Sequence, residues 1–149
     1  MTCGIGRMGM DEALRVLIVE DSMEDTFFIV RELQRAGYQV DFERVETQPA
    51  MEQALRASHW DLVISDYQMP SFNGDAALEV FRDSALPIPF IMVSGALGEK
   101  RVDEMLRAGA HDFVLKGNLA RLAPAVRREL EAVRNRPGAA SSEPPRAVS

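Results

Sequence analysis

A domain of the α/β class, built on a parallel sheet, is the fold this sequence predicts, and three observations predict it. Apolar runs rich in β-branched residues recur at Val16-Leu17-Ile18-Val19, Leu62-Val63-Ile64 and Phe90-Ile91-Met92-Val93. They are apolar at successive positions, as expected of strands covered on both faces. The stretches between them carry apolar residues at helical spacing, and parallel strands require such crossovers. Five repeats of strand then helix fit within about 120 residues, enough for one domain with a sizeable core.

Residues 1–13 are Gly- and Met-rich without a period and are expected to form a flexible leader. The folded part is expected over residues 14–134. Strand one ends at Glu20-Asp21. Ser22 followed by Asp25 resembles a capping box, and the helix after it places Ile29, Leu33 and Ala36 on one stripe with Phe27 and Val30 beside it. Gly37 stops that helix. Gln39 to Val45 alternates apolar and polar residues, so strand two has one less buried face and belongs at an edge. Thr47 and Pro49 start a helix over Met51 to Ala57, and strand three follows to Asp66. Asn73-Gly74 makes a turn before a helix anchored by Leu78 and Phe81. Strand four ends at Ser94-Gly95. A helix over residues 98–108 carries Val102, Leu106 and Gly109 at helical spacing, and strand five runs from Asp112 to Leu115, ending at Lys116. Asn118 is the expected N-cap of a last helix with the stripe Leu119, Leu122, Val126, Leu130 and Val133. From residue 135 to 149, Pro, Gly, Ser and Ala dominate and little remains to bury, which predicts a disordered tail.

Composition narrows the function classes. With 46% hydrophobic and 27% charged residues the chain is an ordinary globular sequence, not a disordered one. A net charge of −6 argues against a broad nucleic-acid surface. Cys3 is the only cysteine, which excludes a disulfide framework, and its surroundings offer no partner for a thiol catalyst. Neither a secretory signal nor a membrane span is legible, so the expected location is cytoplasmic, with no membrane partner.

The residues just past the central strands are Glu20-Asp21, Asp66, Ser94 and Lys116. In a parallel sheet these share one edge, where ligands bind. Three clustered carboxylates repel one another and need cations. Lys116 supplies one; Mg²⁺, which takes a few carboxylates together with water and phosphate oxygens, is the simplest other. No cluster of His or Cys suggests zinc. A carboxylate beside Mg²⁺ and an ammonium suits acceptance of a phosphoryl group, with Ser94 able to donate a hydrogen bond to it.

The order and spacing of Val19-Glu20-Asp21, Asp66-x-x-Met69-Pro70-x-x-Asn73-Gly74, Ser94-Gly95 and Asp112-Phe113-x-x-Lys116 resemble the receiver domain of two-component response regulators. The resemblance covers about residues 14 to 134. It implies a flavodoxin-like (βα)5 sheet of strand order 2-1-3-4-5. It further implies Asp66 as phosphoacceptor and Glu20 and Asp21 as the acidic metal pocket, with the backbone carbonyl of Gln68 as a further Mg²⁺ ligand. Ser94 would be the switch hydroxyl, Lys116 the phosphate-pairing lysine and Phe113 the aromatic switch. The implied donor is a sensor histidine kinase or a histidine phosphotransfer protein. The implied output surface is made by the fourth helix, fifth strand and fifth helix, and it is also a candidate homodimer contact. Receivers usually follow the lysine with a proline, commonly in a cis peptide. Here Gly117 takes that place, so a trans bond is expected, with Gly117 free to adopt positive φ and the following loop reshaped.

Two other classes fit less well. A phosphohydrolase working through an aspartyl phosphate would want an acid two residues after the nucleophile, where this chain has Gln68. A phosphorylation-independent interaction module on the same fold would not need the intact pocket. The chain therefore reads as a single-domain regulator, a signalling domain and not a turnover enzyme, because too little sequence follows the last helix for an effector domain. A receiver cut from a hybrid kinase or phosphorelay protein is the alternative. His59 and His111 fall outside the strand-end set and read as structural or solvated, and Trp60 as packing at the opposite edge. Arg121, Arg127, Arg128 and Arg134 lie off the stripe of the last helix, a solvated face that coincides with the surface receivers use for partners.

Overall fold

The computed structural model describes residues 12–135. Cys3, most of the expected leader and nearly all of the expected tail lie outside the described residues. Strand β1 (Glu12–Val19) starts two residues before the expected boundary of the folded part. It is followed by α1 (Met23–Arg35), β2 (Tyr38–Val45), α2 (Gln48–Ala57), β3 (Leu62–Asp66), α3 (Gly74–Ser84), β4 (Phe90–Ser94), α4 (Glu99–Ala108) and β5 (Asp112–Leu115). A 3-10 segment (Lys116–Arg121) then leads into α5 (Leu122–Arg134). The five strands are parallel in the order β2-β1-β3-β4-β5, the predicted flavodoxin-like arrangement.

Alternate residues of the central strands face opposite layers. Val16, Ile18, Leu62, Ile64, Ile91 and Val93 pack with Ile29 and Leu33 of α1 and Leu122, Val126 and Leu130 of α5. Leu17, Val19, Val63, Phe90 and Met92 pack with Met51 of α2, Leu78 and Phe81 of α3 and Met105 of α4. Apolar runs without alternation are thus explained by two cores, one on each face. β2 lies at the edge, as its alternating pattern predicted, with β5 at the other edge.

Local chemistry sets most boundaries. The Thr47 hydroxyl accepts the backbone N–H of Ala50 at 3.3 Å, and the Asn73 side chain that of Ala76 at 2.9 Å, so each caps the helix that follows. Gly37 and Gly109, with φ of 104° and 125°, end α1 and α4. Trp60, buried before β3 at the edge away from Asp66, donates to the Ala54 carbonyl at 2.9 Å and lies under the Arg15 guanidinium, 4.9 Å from the ring centre. His111 accepts the Phe90 N–H through Nδ1 at 3.0 Å, a structural role, and His59 is exposed.

Four expectations need correction. Phe27 does not join the buried stripe of α1 but is 57% exposed. On α4 the buried residue is Met105, while Leu106 is 40% exposed, because the apolar pair Met105-Leu106 permits two phases and the sheet selects one. Asn118 caps no α-helix: it sits inside the 3-10 segment with φ −138° and ψ 52°, and α5 begins at Leu122. The bond to Gly117 is trans as expected, but Gly117 does not adopt positive φ, because the 3-10 turn carries the chain from Lys116 towards α5 instead.

Candidate functional site at the carboxyl edge of the sheet

Parallel register brings the strand ends level. Val19 pairs with both Val45 and Ser65, Asp66 with Val93, and Ser94 with Leu115. The residues that end these strands, or follow them directly, therefore converge. Glu20 is held by its own N–H, which donates to Val45 at 2.9 Å, and by Arg44, whose guanidinium donates to the Glu20 carbonyl at 3.0 Å. Its carboxylate turns inward and is buried, whereas Asp21 beside it is exposed. Asp66, also buried, projects from the end of β3. Carboxylate oxygens of Glu20, Asp21 and Asp66 lie within 4.8 Å of one another.

Lys116, the first residue after β5, closes this cluster. Its ammonium lies 3.0 Å from Glu20, 3.3 Å from Asp66 and 2.6 Å from Asp25. Asp25, in the first turn of α1, is the site residue that sequence reasoning missed. It had been read as half of a capping box, and that box is only half formed. The Ser22 hydroxyl accepts the Asp25 N–H at 3.1 Å, but the Ser22 N–H donates to Glu20 Oε2 at 3.1 Å instead of to Asp25. Arg44 was missed as well, since nothing in an alternating edge strand marks one arginine as a clamp on a neighbouring strand's loop.

The remaining predicted residues flank Asp66. The Gln68 N–H donates to Asp66 Oδ1 at 3.2 Å. The Ser94 hydroxyl is buried and donates to the Ala96 carbonyl at 3.3 Å, and the Gln68 amide reaches the same carbonyl at 3.5 Å. Phe113 is half-buried beneath α4, against the core that contains Met105. At Gly74 the turn into α3 passes so close to the residue after β3 and to β4 that a Cβ would stand 2.8 Å from the Tyr67 Cα and 2.9 Å from the Met92 side chain. The arginines of α5 and the segment before it are partly engaged: Arg128 pairs with Asp112, Arg134 with Glu12, and Arg121, at the end of the 3-10 segment, donates to the Phe113 carbonyl at 3.3 Å.

Electrostatics leave the cluster rich in negative charge. Burial, reinforced by the negative charge of Asp66 and opposed by Lys116, pushes the Glu20 carboxyl up to about 7. For Lys116, burial works against the charged form, but the hydrogen bond to Asp25 and the close negative charges of Glu20 and Asp66 outweigh it and raise the ammonium above its usual range. One ammonium is thus shared among several carboxylates. Although Glu20 Oε1 faces Lys116 as an ion pair, it is buried without a well-formed hydrogen bond. An under-satisfied buried carboxylate oxygen beside two more carboxylates fits a hard divalent ion such as Mg²⁺.

A family model described as the response regulator receiver domain matches residues 16–127. The chain is 35% identical over 104 residues to the chemotaxis protein CheY of Thermotoga maritima, with 68% of this chain and 84% of that protein aligned. It is 31% identical over 121 residues to the response regulator ArlR of Staphylococcus saprophyticus, aligning 77% of this chain but spanning only about half, 53%, of that relative's length. Among solved structures it is similar to the signal receiver domain of a signal transduction histidine kinase from Syntrophus aciditrophicus. That match has a TM-score of 0.68 and 31% identity over 83% of this chain and 94% of the other.

Proposed function

The chain belongs to the response regulator receiver domain family, and from that premise we propose that it accepts a phosphoryl group on Asp66 from a histidine kinase or a histidine phosphotransfer protein. The observation that carries this reading is the buried Asp66 carboxylate, with Lys116 at 3.3 Å and the carboxylates of Glu20 and Asp21 within 4.8 Å. A carboxylate oxygen of Asp66 forms a bond to phosphorus as the bond from phosphorus to the donor's imidazole nitrogen breaks, the electron pair returning to the imidazole. Lys116 stabilises the charge that builds on the equatorial oxygens, and the low-dielectric surroundings of Asp66 strengthen that contact. Mg²⁺, held by Glu20, Asp21, Asp66 and the Gln68 backbone carbonyl, would neutralise the remaining negative charge.

The switch follows from one exchange of hydrogen bonds. Ser94 gives up the Ala96 carbonyl and donates to the phosphoryl oxygen, drawing the end of β4 inward and letting Phe113 pack deeper under α4. The surface of α4, β5 and α5 then takes a downstream protein, or a second copy of the chain. On this reading the domain signals by binding rather than by turnover of external substrates. Its place of action is the cytoplasm, where such donors are made; among the described residues no helix is long and apolar enough to cross a membrane. ArlR extends well beyond the matched region, so the same domain could equally serve alone or inside a longer regulator.

Incubation with acetyl phosphate, with and without Mg²⁺, tests the reading by intact mass. A Mg²⁺-dependent phosphoryl adduct on the wild type that is absent from Asp66→Asn is the expected result. A folded wild type that takes no adduct and binds no beryllofluoride would leave a phosphorylation-independent interaction module as the better account.

A further inference from the structure

We propose that Asp25 is a positioning residue for phosphoryl transfer: a fourth carboxylate that holds Lys116 against α1 and restrains its transfer to the phosphoryl group on Asp66. The proposal rests on Asp66 being the phosphoacceptor.

Three observations carry it. Asp25 is the nearest of the three carboxylates that Lys116 touches, at 2.6 Å against 3.0 Å for Glu20 and 3.3 Å for Asp66. The Asp25 carboxylate is not spent on the capping role its position suggests, since the Ser22 N–H goes to Glu20. Its backbone is nevertheless fixed: the Asp25 N–H bonds the Ser22 hydroxyl at 3.1 Å, and the Thr26 hydroxyl bonds the Ser22 carbonyl at 2.8 Å. A carboxylate on a rigid first turn is therefore aimed at a lysine 91 residues away in sequence.

Two effects follow from this placement. A phosphoryl group on Asp66 needs a share of the three ammonium donors, and Asp25 already holds the shortest of their bonds. The Asp25 charge also repels an incoming phosphoryl donor, which is itself an anion. Lys116 keeps Glu20 and Asp66 as partners when Asp25 is neutralised, so its ammonium stays in the site. Because both side chains of the pair retain some contact with solvent, 22% for Lys116 and 34% for Asp25, the restraint is modest. An exposed or half-exposed pair of this kind corresponds to a factor of about two to five.

The test uses the full chain and compares wild type with Asp25→Asn and Asp25→Ser, the latter also compatible with the first turn of a helix. Phosphorylation by acetyl phosphate in Mg²⁺ is followed by intact mass, and Mg²⁺ and beryllofluoride affinities are measured by calorimetry. The expected result is a rate about two- to fivefold higher in either variant, with tighter beryllofluoride binding and Mg²⁺ affinity equal to or below that of the wild type. A purely structural role for Asp25 would weaken both ligands together, and that outcome, or a rate no higher than wild type, overturns the proposal. If the wild type itself takes no phosphoryl group, the phosphoacceptor reading fails, and this one with it.

Discussion

Glu20 carries an electrostatic penalty that its burial makes unavoidable, and the penalty has a sign. In the unfolded chain its carboxyl titrates near 4.5; in the folded protein it is raised to about 7, chiefly by burial. Between those values the folded state holds the proton and the unfolded chain does not. This contribution to stability is fully present below 4.5 and is lost as pH rises through 7. Metal-free protein is therefore expected to melt at lower temperature at about pH 8 than at about pH 5, with added Mg²⁺ raising the melting temperature more at the higher pH. Glu20→Gln should flatten the decline, and a wild-type profile that does not fall over this range would contradict the assignment. Glu20, Asp66, Ser94 and Lys116 were legible in the sequence because each stands where an apolar run stops. Asp25 was not, because a carboxylate three residues after a serine reads as a helix cap. Only the folded chain brings it to Lys116.

At the scale of elements, burial is decided by which phase of a helix the sheet accepts. The α4 sequence, Glu99–Ala108, has so few apolar residues that Met105 and Leu106 each support a plausible stripe. The sheet takes Met105, 3% exposed, into the core with Phe90 and Met92. Met105→Ala should cost about 2–5 kcal/mol by urea unfolding, and Leu106→Ala should stay within about 0.5 kcal/mol. Equal losses would mean that the helix is rotated. The same reasoning separates what was legible elsewhere. The helix with the strongest local signal, Thr47 with Pro49, began where the sequence placed it, while Asn73, read only as part of a turn, proves to cap α3. The start of α5 did not, since the 3-10 turn after Lys116 absorbs Asn118 before regular helix begins. Phe27 was misjudged because adjacent aromatics at 27 and 28 widen the apparent stripe beyond the face that α1 turns to the sheet.

Across the whole molecule, the layout that gathers Glu20, Asp66, Ser94 and Lys116 at one edge follows from parallel strands, which all end on the same side. That is why the site could be read from strand ends alone, while its links to α1 could not. The same polarity sends the residue before β3 to the far edge. Trp60 is the only tryptophan; it is buried there among α2 and β1 contacts, and six residues of nearly extended chain put it about 20 Å from Asp66. Its emission is therefore a probe of global unfolding that is blind to the state of Asp66. Urea should shift the fluorescence in one cooperative step, while saturating Mg²⁺ and beryllofluoride leave it unchanged; a change in emission on their addition would show that rearrangement reaches across the sheet. An optical assay of site occupancy needs a second fluorophore, placed near Asp66.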